Sequence, residues 1–365
     1  MKDASPLDID SAMRQLSEFQ TIIDVRSPNE FEQDHLPGAI NLPVLDDAER
    51  AHVGTLNAET SAFSAKRHGA SLVAANISRL IAGPLADKPP GWKPLVYCWR
   101  GGNRSASLAT VLARIGWRTT VLTGGYRAYR RWVIEQIEKL APMTDFHVIA
   151  GRTGSGKSRL LQALCVNNSQ VLDLEALANH RGSVLGLLPD DIQPSQKLFE
   201  SRLAEALAHF HSASPVFVES ESRKIGQVQI PNALITKMRS SPCTILDFPV
   251  PVRTQFLIRH YAHFLQQPEL LLKQLRRLHE MHGSARIESW AAMADNGQWE
   301  ALVSDLLTQH YDPAYDRSMK RNYQQLNQAN LVQWPDNTPP DLTSAAAEDK
   351  VFESFAQTLR SAVSA

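Results

Sequence analysis

Cysteine is scarce in this sequence, and the chain carries no net charge. Its 365 residues include three cysteines (Cys98, Cys165 and Cys243), none of them in a CxxC pair, and 38 basic side chains balance 38 acidic ones. This pattern argues against a disulfide framework and a structural zinc site. No apolar run approaches the ~18 residues of a transmembrane helix, and the acidic start lacks an apolar signal core. We therefore expect a cytoplasmic protein with reduced thiols and no membrane partner.

The neutral total hides an uneven distribution of charge. Residues 1–50 hold four Lys or Arg against eleven Asp or Glu, whereas residues 91–140 hold nine against two. The basic stretch begins beside Cys98, so a basic face is expected next to this thiol.

Apolar runs alternate with helix signals along most of the chain, which predicts an α/β fold with parallel sheets. A length of 365 residues exceeds what one typical core supports, so two domains are expected. We predict the boundaries as follows: a first α/β domain over 1–142, a second α/β core over 143–250 and a mostly helical extension over 251–365.

Local patterns also specify single elements. The predicted strands are 21–26, 94–98, 146–151, 171–177, 215–220 and 243–249. A strand and turn are predicted over 119–125, and a turn followed by a short strand over 35–43. The predicted helices are about 71–85, 104–115, 126–140, 269–282 and a short one at the end of the chain. The segment Ser27-Pro28-Asn29-Glu30 is a further helix-start signal, with Pro28 in the first turn.

The segment CWRGGNRS (98–105) lies between a predicted strand and a predicted helix. A helix N-terminus presents unpaired backbone N–H groups, and the glycine pair lets the loop curl so that these groups surround an anion. Such a field favours the thiolate, so Cys98 is predicted to be a catalytic nucleophile. A buried structural cysteine is the alternative, but the glycines and arginines would then have no purpose. The predicted anion loop comprises Trp99, Arg100, Gly101, Gly102, Asn103 and Arg104.

The segment GRTGSGKS (151–158) fits the motif G-x-x-x-x-G-K-[ST] in full, between a strand and a helix. This context predicts a P-loop, as in P-loop NTPase-like domains. Lys157 supplies a charge to a bound phosphate, and Ser158 can ligate Mg²⁺. The motif specifies a di- or triphosphate but does not select ATP. The predicted diphosphate-binding residues are Gly151, Arg152, Thr153, Gly154, Ser155, Gly156, Lys157 and Ser158.

Acidic residues at strand ends are candidates for organising a metal near the P-loop. Glu219 and Asp247 each end a predicted strand, and polar neighbours favour Glu219. Either could instead be an ordinary strand-end acid. Further candidates in polar loops are Asp173, together with His180 and Arg181 for contact with a diphosphate or RNA.

The first ~140 residues resemble the rhodanese family. The matching segments are IIDVRSPNEFEQDHLPGAINLP (22–43), YCWRGGNRSAS (97–107) and VLTGGYRAYRRW (121–132). The resemblance implies a rhodanese-like domain in which Cys98 carries a transferable chalcogen. The Cys98–Arg104 spacing is one residue longer than usual and is shared by dual-specificity phosphatases. Phosphatase activity would need a general acid, and Tyr97 stands where those enzymes usually have His.

The whole chain resembles the bacterial tRNA 2-selenouridine synthases. The segments that carry this resemblance are YCWRGG (97–102), GRTGSGKS (151–158), DLEALANHRGSVLG (173–186), QPSQKLFESRL (193–203) and VFVESESRKIG (216–226). It implies a transferase that converts wobble 2-thiouridine to 2-selenouridine with selenophosphate, through S-geranyl-2-thiouridine made from geranyl diphosphate. The P-loop would hold the prenyl diphosphate. No tightly bound cofactor is implied, although Mg²⁺ can act at Ser158.

The expected macromolecular partner is the anticodon loop of a tRNA. Arg127, Arg130 and Arg131 alternate with aromatic residues, and such a mixture favours phosphate contact and base stacking. The aromatics could instead form the packed face of a helix, which leaves Trp99 as the better stacking candidate. The sequence carries no signal for an oligomeric state.

Two other functions fit the same motifs. One is an ATP-dependent kinase or NTPase with a regulatory rhodanese module, which predicts ATP turnover that depends on Lys157. The other is a sulfur or selenium carrier, which predicts no product from the purified protein alone.

Overall fold

The computed structural model describes residues 3–59, 61–180, 192–334 and 345–364, and the chain divides into two units. Unit 1 comprises Met1–Gln136 with Pro194–Ala204, and unit 2 comprises Ile137–Gln193 with Glu205–Ala365. Residues 194–204 thus cluster with unit 1, although the sequence places them inside the predicted 143–250 core.

A five-stranded parallel sheet in the order β1-β5-β4-β2-β3 forms the centre of unit 1. The strands are β1 (Ser5–Leu7), β2 (Thr21–Asp24), β3 (Ala39–Asn41), β4 (Pro94–Tyr97) and β5 (Thr120–Leu122). The helices are α1 (Ile9–Arg14), α2 (Pro28–Gln33), α3 (Asp47–Glu59), α4 (Ala62–Ala82), α5 (Asn103–Ile115) and α6 (Gly125–Met143). All four residues of β4 are buried, as in a strand covered on both faces.

Helix boundaries in unit 1 follow capping chemistry. Ser27 and Glu30 form a capping box at the start of α2, with Pro28 in the first turn, and Gly116 ends α5 in the left-handed conformation. Helix α4 begins earlier than the predicted residue 71, because the Ser61 side chain caps it by accepting a hydrogen bond from Ser64 N.

A second five-stranded parallel sheet, in the order β12-β11-β6-β8-β7, forms the centre of unit 2. Its strands are β6 (Phe146–Gly151), β7 (Gln170–Leu172), β8 (Val216–Glu219), β11 (Cys243–Asp247) and β12 (Asn330–Gln333), with a hairpin of β9 (Lys224–Ile225) and β10 (Val228–Gln229) outside it. The helices from residue 157 to residue 240 are α7 (Lys157–Val166), α8 (Leu174–Ala178), α9 (Gln196–His209) and α10 (Asn232–Ser240). The residues of α9 up to Ala204 belong to unit 1.

Residues after 250 are mostly helical, as predicted. The helices are α11 (Val250–His260), α12 (Ala262–Gln266), α13 (Pro268–Leu275), α14 (His279–Asp295), α15 (Trp299–Leu306), α16 (Asp312–Asn322) and α17 (Ala345–Ser364), with a π-helical turn at Leu307–Tyr311. Phe352, Ala356 and Leu359 of α17 pack into the same core as Leu160 and Leu164 of α7. Within the part of the chain that the structure describes, every helix is too short or too polar to span a lipid bilayer.

Candidate active sites

Cys98 lies directly after β4, at the bottom of the loop that leads into α5. Its side chain is 3% exposed, and Ser105 Oγ donates a hydrogen bond to Cys98 Sγ at 3.1 Å. Burial raises the pKa of the thiol, but hydrogen bonds from the Ser105 hydroxyl and from the backbone of Ser105, Arg100 and Gly102 outweigh it and lower the pKa. The loop therefore favours a nucleophilic thiolate.

The N-terminus of α6 fixes the shape of this loop. Tyr126 N donates to Cys98 O at 2.8 Å, and Arg127 N donates to Trp99 O at 3.0 Å. The approach is so close that a Cβ added at Gly125 would lie 2.2 Å from Cys98 O. Gly125 and Gly101, with φ of 56° and 67°, are therefore both required by the backbone.

The predicted cationic donors of the loop have different environments. Arg104 pairs with Glu30 through Nη1 and Oε2 at 2.7 Å, so its charge is already matched by a carboxylate rather than directed only at an anion. Arg100 and Asn103 are exposed. Trp99 is half-buried, with its ring centroid 5.2 Å from that of Tyr126. Arg104 is thus shared with Glu30, whereas the backbone groups of Ser105, Arg100 and Gly102 lower the pKa of Cys98 directly.

The arginines predicted to contact tRNA divide into two kinds. Arg127 and Arg131 are exposed on α6, whereas Arg130 forms an ion pair with Glu200. Tyr126 and Tyr129 are buried, so for these two aromatics the packing interpretation is the one that the structure supports.

The predicted P-loop follows β6 and opens α7, as the motif requires. Gly151, Gly154 and Gly156 have φ values of 155°, 80° and 76°, which a side chain would disfavour. Lys157 Nζ donates to Gly151 O at 2.9 Å. The residues between them also have defined positions: Arg152 pairs with Asp316 at 2.8 Å, the Thr153 carbonyl accepts from Arg253, and Ser155 is buried.

Tyr315 of α16 adds a contact to the P-loop that the motif does not contain. Gly151 N donates to the Tyr315 hydroxyl at 2.7 Å, and Lys157 Nζ lies 5.8 Å from the centroid of the Tyr315 ring. The Tyr315 hydroxyl is also 3.1 Å from Ser220 Oγ. A helix far along the chain thus holds the first residue of the loop.

Three carboxylates meet beside Ser158. Its Oγ donates to Glu175 Oε2 at 3.0 Å and to Glu219 Oε2 at 3.4 Å, and one ligand atom from each of Glu175, Glu219 and Glu221 lies within 4.8 Å of the others. Oxygen donors of this kind suit a hard divalent cation. Asp247, the other candidate, is exposed at the end of β11.

Crowding and burial alter the titration of these acids. Burial first, and then the neighbouring carboxylates, raise the pKa of Glu219 well above its usual range. Burial and Glu175 raise the pKa of Glu221 to about 7. A bound cation would reverse this effect, because it stabilises the charged carboxylates.

A cavity of about 650 Å³ is bounded by the P-loop and by Glu175 and Glu221. Asp173 and His180 also line it. The Asp173 side chain caps α8 by accepting from Ala176 N at 2.8 Å, and burial lowers the pKa of His180. Arg181 lies outside the described residues.

Comparison with known proteins places these two sites in one family. Residues 144–334 match the family model described as the tRNA 2-selenouridine synthase AAA domain, and residues 8–131 match the model of the rhodanese-like domain. A tRNA 2-selenouridine synthase of Nitrosomonas europaea is 34% identical over 82% of this chain and 89% of its own. The chain belongs to the tRNA 2-selenouridine synthase family.

A second curated relative agrees with this placement. The tRNA 2-selenouridine synthase of Marinobacter nauticus is 32% identical over 86% of this chain and 92% of its own. Among solved structures, a rhodanese-related protein of Thermoplasma volcanium covers 36% of this chain and 92% of its own, with 18% identity and a TM-score of 0.24.

Within this member of the tRNA 2-selenouridine synthase family, the structure adds residues that the sequence motifs did not single out. They are Ser105, Gly125 and Tyr315, each in direct contact with a predicted site residue. Glu175 and Glu221 lie in the segments 173–186 and 216–226 that the sequence had already identified, and the structure adds their position beside Ser158 and Glu219. Ser105 and Gly125 lie within the rhodanese-like segments, so their positions were visible although their contacts were not. Tyr315 lies in the helical extension, where no motif marks it.

Proposed function

We propose that this chain replaces the sulfur of 2-thiouridine at the tRNA wobble position with selenium, through an S-geranyl intermediate. Geranyl diphosphate would supply the geranyl group and selenophosphate the selenium. The observation that carries the proposal is the presence, in a member of this family, of a low-pKa thiol in a backbone N–H loop and of a P-loop beside a carboxylate cluster.

The P-loop cavity suits the prenyl-transfer step. The loop amides and Lys157 would hold the diphosphate, and the thiocarbonyl sulfur would attack the first carbon of the geranyl chain as pyrophosphate leaves. Donors fixed in advance stabilise the charge that develops on the leaving group. A divalent cation held by Ser158 and the carboxylates would neutralise the same oxygens.

The Cys98 loop suits the selenium step. Its backbone N–H groups would bind the selenophosphate anion beside the thiolate. Alkylation converts the tRNA sulfur into a better leaving group, so the selenium of selenophosphate can add at C2 while geranylthiol departs. Water then cleaves the Se–P bond and phosphate is released. Arg127 and Arg131 would contact the tRNA backbone, and Trp99 would stack on the displaced base. The cytoplasmic location expected from the sequence stays a prediction.

Single variants should separate the two steps. Cys98→Ala should block selenium incorporation and leave S-geranyl-2-thiouridine, whereas Lys157→Ala should block geranylation. The readout is mass spectrometry of the wobble nucleoside after incubation with thiolated tRNA, geranyl diphosphate and selenophosphate. Cys165→Ala and Lys139→Ala, at exposed positions, are matched controls.

Loss of the same single step in both variants would contradict this division of labour. ATP turnover that tRNA stimulates and Lys157→Ala abolishes would instead support the NTPase hypothesis.

A further inference from the structure

A second cavity in unit 2 adjoins the P-loop cavity and is almost entirely apolar. Thr153, Leu257, Tyr261 and Tyr311 line both cavities, so the two share a wall. Beyond this wall the second cavity is lined only by hydrocarbon and indole side chains of α11, α12, α13 and α15 and of the π-helical turn. Examples of these side chains are Ile258, Leu265, Trp299 and Val303. We call this second cavity the tail pocket.

The chemistry of the two cavities specifies an amphipathic ligand. One wall of the larger cavity carries the P-loop amides and Lys157, which suit a diphosphate. Among the described residues that line the adjoining tail pocket beyond the shared wall, the Trp299 indole N–H is the one side-chain group that can form a hydrogen bond. A nucleoside placed there would lose hydrogen bonds from its base and ribose, a cost that a hydrocarbon does not incur.

We propose that the tail pocket binds the hydrocarbon chain of an isoprenoid diphosphate whose diphosphate is held by the P-loop. This inference rests on the proposed function and assigns the part of the site that selects chain length. The half-buried side chains Ile258, Leu265 and Val303 form the surface against which the end of the chain packs.

The volume of the tail pocket sets a limit on chain length. It measures about 60 Å³, which corresponds to about four to six water-sized groups. One isoprene unit has five carbon groups of similar size, so the pocket accommodates one unit. The unit next to the diphosphate lies along the shared wall. A C10 chain therefore fits, and a third unit exceeds the volume of the tail pocket.

A chain-length series on the full-length wild-type protein tests this directly. Equilibrium dialysis with Mg²⁺ would compare inorganic pyrophosphate and ATP with dimethylallyl (C5), geranyl (C10) and farnesyl (C15) diphosphates. Each buried methylene contributes about fourfold in affinity, so geranyl should bind at least roughly 100-fold more tightly than dimethylallyl diphosphate. Farnesyl diphosphate should bind no more tightly than geranyl diphosphate.

The outcomes separate the tail pocket from the proposed function. Equal affinity for pyrophosphate and geranyl diphosphate, or tighter binding of ATP than of geranyl diphosphate, would overturn the proposal that the tail pocket binds the hydrocarbon chain. Binding of none of the diphosphates, or binding that Lys157→Ala leaves unchanged, would overturn the proposed function instead.

A variant with a larger side chain inside the tail pocket tests where the hydrocarbon chain binds. Val303→Phe should lower geranyl diphosphate affinity by roughly 10-fold and leave pyrophosphate affinity unchanged. Val166→Phe makes the same substitution at a position that is 77% exposed, and it should change neither affinity. Unchanged geranyl diphosphate affinity in folded Val303→Phe would overturn the assignment, and the wild-type series decides the question if that variant does not fold.

Discussion

Ser105 is the side chain that acts most directly on the predicted nucleophile. Its hydroxyl hydrogen bond to Cys98 Sγ lowers the pKa of the thiol, so Ser105→Ala should raise that pKa. A hydrogen bond to a charged group contributes roughly 1.5–3 kcal/mol. Because a water molecule can partly replace the missing hydroxyl, we expect the alkylation rate of Cys98 at pH 7 to fall by about 3- to 10-fold. Iodoacetamide kinetics against pH, in a Cys165→Ser background, measure it.

Ser107→Ala is the matched control for that substitution. Ser107 Oγ donates to Asn103 O at 2.8 Å in the same helix and has no contact with the thiol in this hydrogen-bond pattern. A rate that falls equally in both variants would show that helix distortion, and not the Ser105 hydroxyl, controls the reactivity of Cys98.

The raised pKa of Glu221 predicts a dependence of stability on pH. Its pKa is about 7 in the folded protein against 4.5 for the unperturbed side chain. The folded state therefore binds the extra proton between these values, and this contribution to stability is full below pH 4.5 and is lost as the pH rises through 7. A glutamine does not titrate, so Glu221→Gln does not lose this stability. The difference in unfolding free energy, variant minus wild type, should therefore increase by about 1–3 kcal/mol from pH 5 to pH 8.

Urea unfolding at several pH values without added metal measures that difference. Glu205→Gln, at an exposed position of α9, is the control that removes a carboxylate outside the cluster. A difference that does not vary with pH for Glu221→Gln would mean that Glu221 titrates normally. Added Mg²⁺ should reduce the effect, because a cation stabilises the charged wild-type cluster.

At the scale of elements, the N-terminus of α6 holds the Cys98 loop through a contact that excludes a side chain. Gly125→Ala would place a Cβ 2.2 Å from Cys98 O and 2.5 Å from Gly101 N. The loop must move, so its N–H groups should leave the thiolate and the pKa of Cys98 should rise. Gly38→Ala carries a similar φ of 69° with nothing within 4 Å of the added Cβ.

The two glycine variants therefore separate backbone strain from displacement of the loop. Both should lose stability, Gly38→Ala by about 1–2 kcal/mol in urea unfolding. Only Gly125→Ala should also slow the alkylation of Cys98. Normal thiol reactivity in Gly125→Ala would show that the loop does not depend on α6.

Element prediction succeeded where local signals were strong and failed where tertiary context decided. The strand at 146–151 was predicted at its observed bounds, and the capping signal at Ser27 located the start of α2. The predicted strand over 171–177 is wrong after Leu172, because Asp173 caps α8 there. Strand β12 was missed, since four mostly exposed residues pair with β11 without an apolar pattern.

At the scale of the whole molecule, contiguous motifs were predictable and their distant partners were not. The P-loop is recognisable from its own sequence, whereas Tyr315 and Phe352 contact it from helices much later in the chain. A Cβ at Gly156 would lie 2.3 Å from the Phe352 ring. No periodicity encodes such a contact, because it depends on how α16 and α17 pack. For the same reason the carboxylates beside Ser158 were recognised only in part.

Each site is built within its own unit. Cys98, Ser105 and Gly125 belong to unit 1, and Lys157 and Tyr315 belong to unit 2. A substitution in one site should therefore leave the other site intact. We predict that an equal mixture of Cys98→Ala and Lys157→Ala proteins forms 2-selenouridine from thiolated tRNA, geranyl diphosphate and selenophosphate, whereas neither variant does so alone.

The mixture should work more slowly than the wild type, because geranylated tRNA must leave one protein molecule and bind another. Mass spectrometry of the wobble nucleoside over time measures both rates. Normal alkylation of Cys98 in Lys157→Ala is the control for an intact first site. A second control is that Lys157→Ala converts supplied geranylated tRNA to the selenouridine form. If both controls hold and the mixture still forms no selenouridine, the intermediate is passed on only within one polypeptide. Independent operation of the two sites would then be wrong.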